Sequence, residues 1–226
     1  MALAGWLAAS CAPVRTAGRD FPTAAFGTLR LRQTTDSQVE AVLGPPFKRL
    51  AVQGTTANPA GPVPPGTPFS LAILTYEFGI SNGGPAVAGH PVGKFATLVF
   101  LGGTLAAYDL NSSIPGDANP PIDEQRLSLL KQGSTTRNDI IGLLGTPSGQ
   151  SMALSFLPQD HGHVTYAWTH IDASGVRHKL LVIELDAHDV MIRYAMVDRS
   201  GPLLSQPGIV PLPIVVPKSA PLTTKS

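Results

Sequence analysis

The sequence predicts an α+β fold made of two tandem α-α-β-β-β repeats, each with short helices packed on a three-stranded antiparallel sheet. Two observations lead to this prediction. Residues 34–46 align without gaps with residues 135–147, and an aromatic-bearing strand and a candidate hairpin follow each copy. We therefore assign residues 28–113 to the first repeat and 122–199 to the second, joined by a linker at 114–121.

Each copy of the repeated segment carries the signals that begin and end a short helix. A threonine precedes a polar residue by three positions, which is the spacing of a capping box. Apolar residues follow at helical spacing, then a glycine expected at the C′ position in the left-handed conformation, and a proline that prevents continuation. We expect the last leucine of each helix, Leu43 or Leu144, to be buried. The signal residues are Thr35, Gln38, Gly44 and Pro46 in the first copy, and Thr136, Asp139, Gly145 and Pro147 in the second. A further short helix is predicted over 123–131.

The second repeat continues with a strand at 164–168 and a hairpin whose strands are 179–185 and 190–197. Pairing Leu185 with Val190 across the turn 186–189 aligns alternate apolar residues on one face of the hairpin. These residues are Leu181, Ile183, Leu185, Val190, Ile192 and Tyr194.

The first repeat contains a strand at 74–78 and a hairpin formed by 95–101 and 104–110, joined by Gly102-Gly103, which permits a primed turn. Both faces of this hairpin are apolar, so other residues must pack on each of them. Either the second repeat packs on this sheet, or one face is a surface for a partner protein. The candidate partner surface is Leu98, Phe100 and Leu105, while Val99, Leu101 and Tyr108 lie on the other face.

The N-terminus resembles the lipobox of bacterial lipoproteins, in which a lipid is attached to a cysteine that follows small residues. Residues 1–10 form a signal-like segment, and Ala9 and Ser10 precede the single cysteine, Cys11. Ala8 departs from the usual large aliphatic residue. The resemblance implies lipid attachment at Cys11 and a tether over 11–27; an apolar N-terminus with a free thiol is the alternative.

Two further segments are rich in Pro and Gly. Residues 54–68 are an insertion in the first repeat, and residues 200–226 form a Pro-rich tail.

Composition excludes several classes of function. The net charge is +1 and no basic block occurs, so nucleic acid is not an expected partner. No phosphate loop, nucleophile elbow or dinucleotide motif is present, and we expect no cofactor, no metal and no catalytic residues. The acidic residues show no pair that the sequence would place together in a cleft. Five of the six histidines lie between 161 and 188, but the predicted hairpin separates them.

The doubled motif resembles the SmpA/OmlA, or BamE-like, lipoprotein domain, which occurs in tandem in the fold of β-lactamase inhibitor proteins. The resemblance lies in residues 133–136, Ile140, 144–147 and 166–168. It implies a non-enzymatic, lipid-anchored module on the periplasmic face of the outer membrane that binds an outer-membrane or periplasmic protein. The alternatives are a proteinaceous enzyme inhibitor of the β-lactamase-inhibitor type and a metal-dependent enzyme that uses the His161–His188 cluster.

Overall fold

The computed structural model describes residues 15–56, 64–81, 92–114, 116–117, 121–153, 161–172 and 175–201. Within these ranges the strands are β1 Arg15–Gly18, β2 Lys48–Thr55, β3 Pro68–Ser81, β4 Val92–Leu101, β5 Thr104–Ser112, β6 Gly149–Ser151, β7 Gly162–Asp172, β8 Gly175–Leu185 and β9 Met191–Gly201. The helices are α1 Asp36–Leu43 and α2 Arg137–Leu144, with 3₁₀ helices at Thr23–Thr28 and Glu124–Leu129.

All nine of these strands belong to one antiparallel sheet. Its order is β1-β3-β4-β5-β6-β7-β8-β9, and β2 pairs with the part of β3 that β1 leaves free. The short strand β6 pairs with β5 on one side and with β7 on the other. It therefore joins the two halves of the chain edge to edge.

The predicted α+β fold of two tandem three-stranded repeats is wrong. The structure is a largely β fold, because one continuous sheet runs through both halves and the helices are short. The expectation that the second repeat packs on the sheet of the first is also wrong. The strand edges of β5 and β7 are satisfied by hydrogen bonds to β6, so the halves lie side by side instead of stacking.

The local helix signals operate as expected. Thr35 and Thr136 cap α1 and α2, and each forms a complete capping box with the residue three positions later. Such a cap contributes about 1 kcal/mol to helix stability. Gly44 and Gly145 end the two helices with the expected positive φ, 81° and 87°, but their ψ values of −174° and −166° are extended, so the predicted left-handed helical conformation is wrong. The helix predicted over 123–131 is instead the shorter 3₁₀ helix Glu124–Leu129.

Both helices lie on the same face of the sheet, which we call the helix-covered face. Register shows this, because Tyr108 in β5 is opposite Gln150 in β6, and Gln150 is opposite Val164 in β7. Side chains opposite each other on antiparallel strands point to the same face. Tyr108 packs in the core cluster under α1, and Val164 packs in the cluster under α2. The other face, which no described helix covers, is the helix-free face.

Each half has its own apolar cluster on the helix-covered face. In the first half, α1 contributes Val39 and Leu43 to a cluster whose fully buried members include Leu74, Leu98 and Phe100. In the second half, Ile140 of α2 packs with residues of β7 and β8 that include Val164, Leu181 and Ile183. Burial of each such side chain contributes about 1.5–3 kcal/mol. Leu43 is buried as expected, whereas Leu144 is only half-buried at the border of its cluster.

Two β-bulges change the predicted register of the hairpins. In β4–β5, Val99 is opposite Ala107 while Phe100 is opposite Leu105, so Ala106 is the extra residue. In β8–β9, Leu185 is opposite Met191 while Glu184 is opposite Arg193.

The predicted pairings in the second hairpin are therefore wrong. Ile192 is the extra residue, Ile183 faces Tyr194 instead of Ile192, and Leu181 faces Met196. Met191 is buried in place of Val190.

Candidate functional site

The predicted partner surface lies in the core. Leu98, Phe100 and Leu105 have no exposed area and pack under α1 on the helix-covered face. The bulge at Ala106 also brings Tyr108 to this face, opposite Leu98, although the predicted pattern placed it on the other. The side chains proposed to contact a partner therefore hold the fold together, and any partner surface must be sought elsewhere.

The helix-free face is apolar across β2, β3 and the end of β4. Leu50 and Val52 of β2 are opposite Ile73 and Leu71, and Leu71 is opposite Leu101. Leu50 is 46% exposed and Val52 is 37% exposed, although both are large apolar side chains. We call these five residues the apolar patch.

A groove of about 390 Å³ lies on the same face, between β3, β4 and β5. Gly79 and Gly93 are opposite each other in adjacent strands, so no side chain fills this part of its floor. Glu77, Asp109 and Asn111 also line it, and we call it the acceptor groove. Each of these three side chains offers an oxygen that can accept a hydrogen bond.

The acceptors of the groove lack donors within the described part of the chain. The Oδ1 atom of Asn111 is buried and has no hydrogen-bond partner there. No described ion pair includes Asp109 or Glu77. Buried polar groups in native proteins are nearly always paired, so an unpaired acceptor beside an unpaired carboxylate indicates a place for an external donor.

Asp109 is held in the middle of the sheet by its strand neighbours. It lies opposite Thr97 on one side and Gly149 on the other. A Cβ atom at position 149 would lie only 2.8 Å from Asp109 Oδ1, which shows that the carboxylate leans over this glycine. Burial raises the pKa of Asp109 to about 6, since no nearby charge or hydrogen bond stabilises the ionised carboxylate.

A second cavity, of about 630 Å³, lies on the helix-covered face where residues 26–33 approach the start of α2. Arg30, Arg32 and Arg137 line it. Arg30 Nη1 donates to the carbonyls of residues 27 and 29. The buried Arg137 donates to Asp189 and to two backbone carbonyls. Two of the three guanidinium groups therefore already have protein acceptors, in contrast to the groups in the acceptor groove.

The histidines between 161 and 188 are spread over the second half. No group of three or more His, Cys, Asp or Glu within the described residues could hold a metal ion. Three of the histidines have separate neighbours: His163 Nδ1 is 3.2 Å from Ser151 Oγ, His178 Nδ1 is 3.0 Å from Thr169 Oγ1, and His170 stacks on Trp168 with ring centroids 5.6 Å apart.

The sequence did not identify the residues of the acceptor groove. We found no acidic pair that would meet in a cleft, yet Glu77 and Asp109, 32 positions apart, line one groove. One signal was available: Asp109 and Asn111 interrupt an apolar strand, where Asp and Asn are normally depleted. The alternation of side chains along β5 could have placed Asp109 and Asn111 on one face. It could not have shown that Glu77, two strands away on β3, lines the same groove.

Cys11, the signal-like segment 1–10 and most of the tail 200–226 lie outside the described residues, as do parts of the tether 11–27, the insertion 54–68 and the linker 114–121. None of the helices in the described part of the chain combines the length and apolar character that a membrane-spanning helix requires.

Comparison with known proteins gives a distant structural neighbour. No family model matches the chain, and no curated protein matches it. The chain is similar to a solved structure from Streptococcus mutans whose title reads "putative beta-lactamase inhibitor protein", with 16% sequence identity and a TM-score of 0.44. The match covers 77% of this chain and 93% of the neighbour.

Proposed function

We propose that this chain is a non-enzymatic protein-binding module that receives a partner protein on the helix-free face of its sheet. The observation that carries the proposal is the acceptor groove next to the apolar patch. The patch leaves two large apolar side chains exposed, and the groove contains a buried acceptor, Asn111 Oδ1, that has no donor within the described residues. A protein surface with apolar and basic side chains would cover both.

The helix-covered face is a weaker candidate. Most of its apolar residues belong to the two core clusters beneath the helices, although Val42 of α1 and Tyr194 of β9 are exposed. Its cavity is lined by arginines of which two already donate to protein acceptors. Unsatisfied groups therefore favour the helix-free face.

The test compares two exposed apolar residues on opposite sides of the molecule. Leu50 belongs to the apolar patch, and Val42 of α1, 48% exposed, is the matched control. A photo-crosslinking amino acid placed at position 50 of the full chain should give a discrete adduct in cells, and one at position 42 should not. Equal adducts at both positions, or none at position 50, would contradict the proposal.

The partner identified by this crosslink then permits a quantitative measurement. Leu50→Asp places a charge in an apolar interface, and we expect about a 10-fold or larger increase in Kd, which corresponds to about 1.4 kcal/mol. Val42→Asp should leave Kd unchanged. Circular dichroism of both variants checks that they remain folded.

The cell-envelope role is a separate part of the proposal. Lipid attachment at Cys11 would place the module on the periplasmic face of the outer membrane, close to outer-membrane and periplasmic partners. Two acyl chains would be needed for stable anchoring, because one chain gives only marginal binding. Cys11→Ala should move the chain from the membrane fraction to the soluble fraction. A mass spectrum of the wild-type chain that shows no attached lipid would contradict the proposed lipid attachment at Cys11.

Enzyme inhibition is a second candidate, since an inhibitor is also a protein-binding module and would use the same face. Addition of the purified chain to serine β-lactamases should then slow hydrolysis of a chromogenic substrate. The Leu50→Asp variant should inhibit less strongly than the Val42→Asp variant. An assembly role instead predicts a face-specific crosslink with no inhibition.

A further inference from the structure

We propose that the acceptor groove binds a cationic side chain, the guanidinium of arginine or the ammonium of lysine, presented by the protein partner. This inference rests on the proposed function and adds the chemistry of the contact. Glu77, Asp109 and Asn111 line the groove with acceptors. Within the described residues, none of the groups facing them supplies the missing donor.

The groups of the groove are complemented by a hydrogen-bond donor that also carries positive charge. A carboxylate only accepts hydrogen bonds, and Asn111 directs a buried acceptor, Oδ1, that has no partner in the described structure. Guanidinium and ammonium groups are donors without acceptors, and they carry the charge that balances a carboxylate. A neutral donor would satisfy Asn111 but would leave Asp109 without an opposite charge.

The arrangement across the strands favours a flat cation. Glu77, Phe95 and Asn111 occupy one row, because Glu77 is opposite Phe95 in β4 and Phe95 is opposite Asn111 in β5. Phe95 lines the groove together with the two acceptors. An aromatic ring between acceptors provides a surface on which a guanidinium group stacks while its N–H groups donate sideways.

The floor of the groove leaves room for such a group. Gly79 and Gly93 form a cross-strand pair next to the row of Glu77 and Phe95. The volume of about 390 Å³ exceeds what a guanidinium group and its adjoining methylenes occupy. A side chain from a partner could therefore enter without displacing a strand residue.

The charged surroundings of Asp109 predict how binding depends on pH. The side chains packed beside it, Thr97 and Thr165, do not titrate, and Gly149 has no side chain. The titratable groups whose side chains point to this face nearby are Glu77 on β3 and His163 on β7, each two strands from β5. Lys94 of β4 also lines the groove, but it occupies a register position of the helix-covered face, and its ammonium is paired there with Asp20 at 2.6 Å and Asp117 at 3.7 Å. Binding of the cation should weaken as the pH falls through the range in which Asp109 becomes protonated.

The test uses the full chain and two small probes of the same shape. N-acetyl-arginine methylamide carries the guanidinium, and N-acetyl-citrulline methylamide replaces it with a neutral urea. Carboxyl-detected NMR follows Asp109, and amide NMR follows the side chain of Asn111. At pH 7.5 the arginine probe should shift both signals and saturate, and citrulline should bind about 10-fold more weakly or less.

Two variants connect these shifts to the groove. Asp109→Asn keeps the shape and removes the buried charge, and it should weaken binding of the arginine probe by about 10-fold or more. Glu77→Gln, at an exposed position, should have a smaller effect and should not disturb folding. Val42→Asp, on the opposite side of the molecule, is the control and should bind as the wild type does.

The outcomes separate this inference from the proposed function. Equal shifts with arginine and citrulline, no shift at about 50 mM probe, or unchanged binding by Asp109→Asn would overturn the cation site. A face-specific crosslink at position 50 would still support the protein-binding module in that case. Conversely, binding of the free probe without any face-specific crosslink would contradict the role of a protein partner and indicate a site for a small amine.

Discussion

The two helices of this chain begin with the same cap and differ at the first helical residue. Asp36 follows the cap of α1, and Arg137 follows the cap of α2. Asp36 lies near the surface and forms an ion pair of 3.0 Å with Arg49, which is 45% exposed. Arg137 is buried and donates to the sheet.

Only Asp36 interacts favourably with the dipole of its own helix. A carboxylate near a helix N-terminus interacts favourably with the helix dipole, and a guanidinium there does not. Arg137 gains its partners elsewhere: Asp189 in the β8–β9 turn, the carbonyl of Ser151 in β6 and the carbonyl of His163 in β7. In both helices the cap determines where the helix begins. The first helical residue determines its contacts: Asp36 pairs with Arg49, whereas Arg137 binds α2 to the sheet.

The largest difference between the halves should appear when these two residues are replaced. Arg137→Met keeps an unbranched apolar stem, two atoms shorter than arginine, but removes five N–H donors from a buried site. We expect a loss of about 2–4 kcal/mol in the free energy of unfolding, because Asp189 and two carbonyls lose their donors. Asp36→Asn should cost less than about 1 kcal/mol, since its ion pair is exposed.

Urea denaturation of both variants measures these losses. Arg137→Lys serves as a control, because it retains the charge without the geometry that serves three acceptors. Similar losses for Arg137→Met and Asp36→Asn would show that Arg137 does not fasten α2 to the sheet.

The next difference concerns the last leucine of each helix. Leu43 is 3% exposed, whereas Leu144 lies at the border of its cluster. Leu43→Ala should therefore cost about 2–4 kcal/mol and Leu144→Ala about 1–2 kcal/mol. Thermal unfolding followed by circular dichroism distinguishes the two values. Equal losses would mean that Leu144 contributes more to packing than its exposure indicates.

The ends of the two helices are features that the sequence could predict, because capping residues and glycines act within a few residues of their own position. The Gly102-Gly103 turn could be predicted for the same reason, and both glycines have positive φ. Signals of this kind need no knowledge of the rest of the fold.

The fold class could not be predicted in this way. Two similar segments suggested two small sheets, but the three residues of β6 join the halves into one sheet. Nothing in so short a segment specifies which edges it pairs with. The extra residues Ala106 and Ile192 also change which side chains face the core, and the apolar pattern of each strand fits both registers.

A smaller effect is expected at the glycines that end the helices. Gly44 and Gly145 combine positive φ with ψ values of −174° and −166°, a region that is essentially restricted to glycine. Substitution by alanine should cost about 1–3 kcal/mol at each position. The losses at the two positions should be similar, because a Cβ at position 44 would make only an ordinary contact of 3.4 Å with the side chain of Arg19, and a Cβ at position 145 meets no atom within 4 Å.

Denaturation of the two alanine variants measures this comparison, with Gly142→Ala as the control. Gly142 lies inside α2, where alanine is the better helix former and an added Cβ meets nothing within 4 Å. The control should therefore be neutral or stabilising. A loss at Gly142 as large as that at Gly145 would contradict the importance of the backbone conformation at position 145.

The smallest expected effect belongs to a tyrosine hydrogen bond that occurs once in each half. Tyr76 and Tyr166 each donate a hydroxyl hydrogen bond of 3.0 Å to the carbonyl of the glycine that ends the helix, Gly44 or Gly145. Replacement of either tyrosine by phenylalanine should cost about 1 kcal/mol at neutral pH.

The difference in stability between the wild type and Tyr76→Phe should disappear at high pH, which tests whether the Tyr76 hydroxyl is buried. Burial raises the pKa of Tyr76 to about 12, so the folded state keeps the proton while the unfolded chain releases it near pH 10. The stability of the wild type is therefore complete below pH 10 and falls between pH 10 and 12, by about 1.4 kcal/mol for each pH unit. Tyr76→Phe avoids this fall at position 76, and the two stability curves should cross near pH 11. Curves that stay parallel up to pH 12 would show that the Tyr76 hydroxyl is not buried in the folded state.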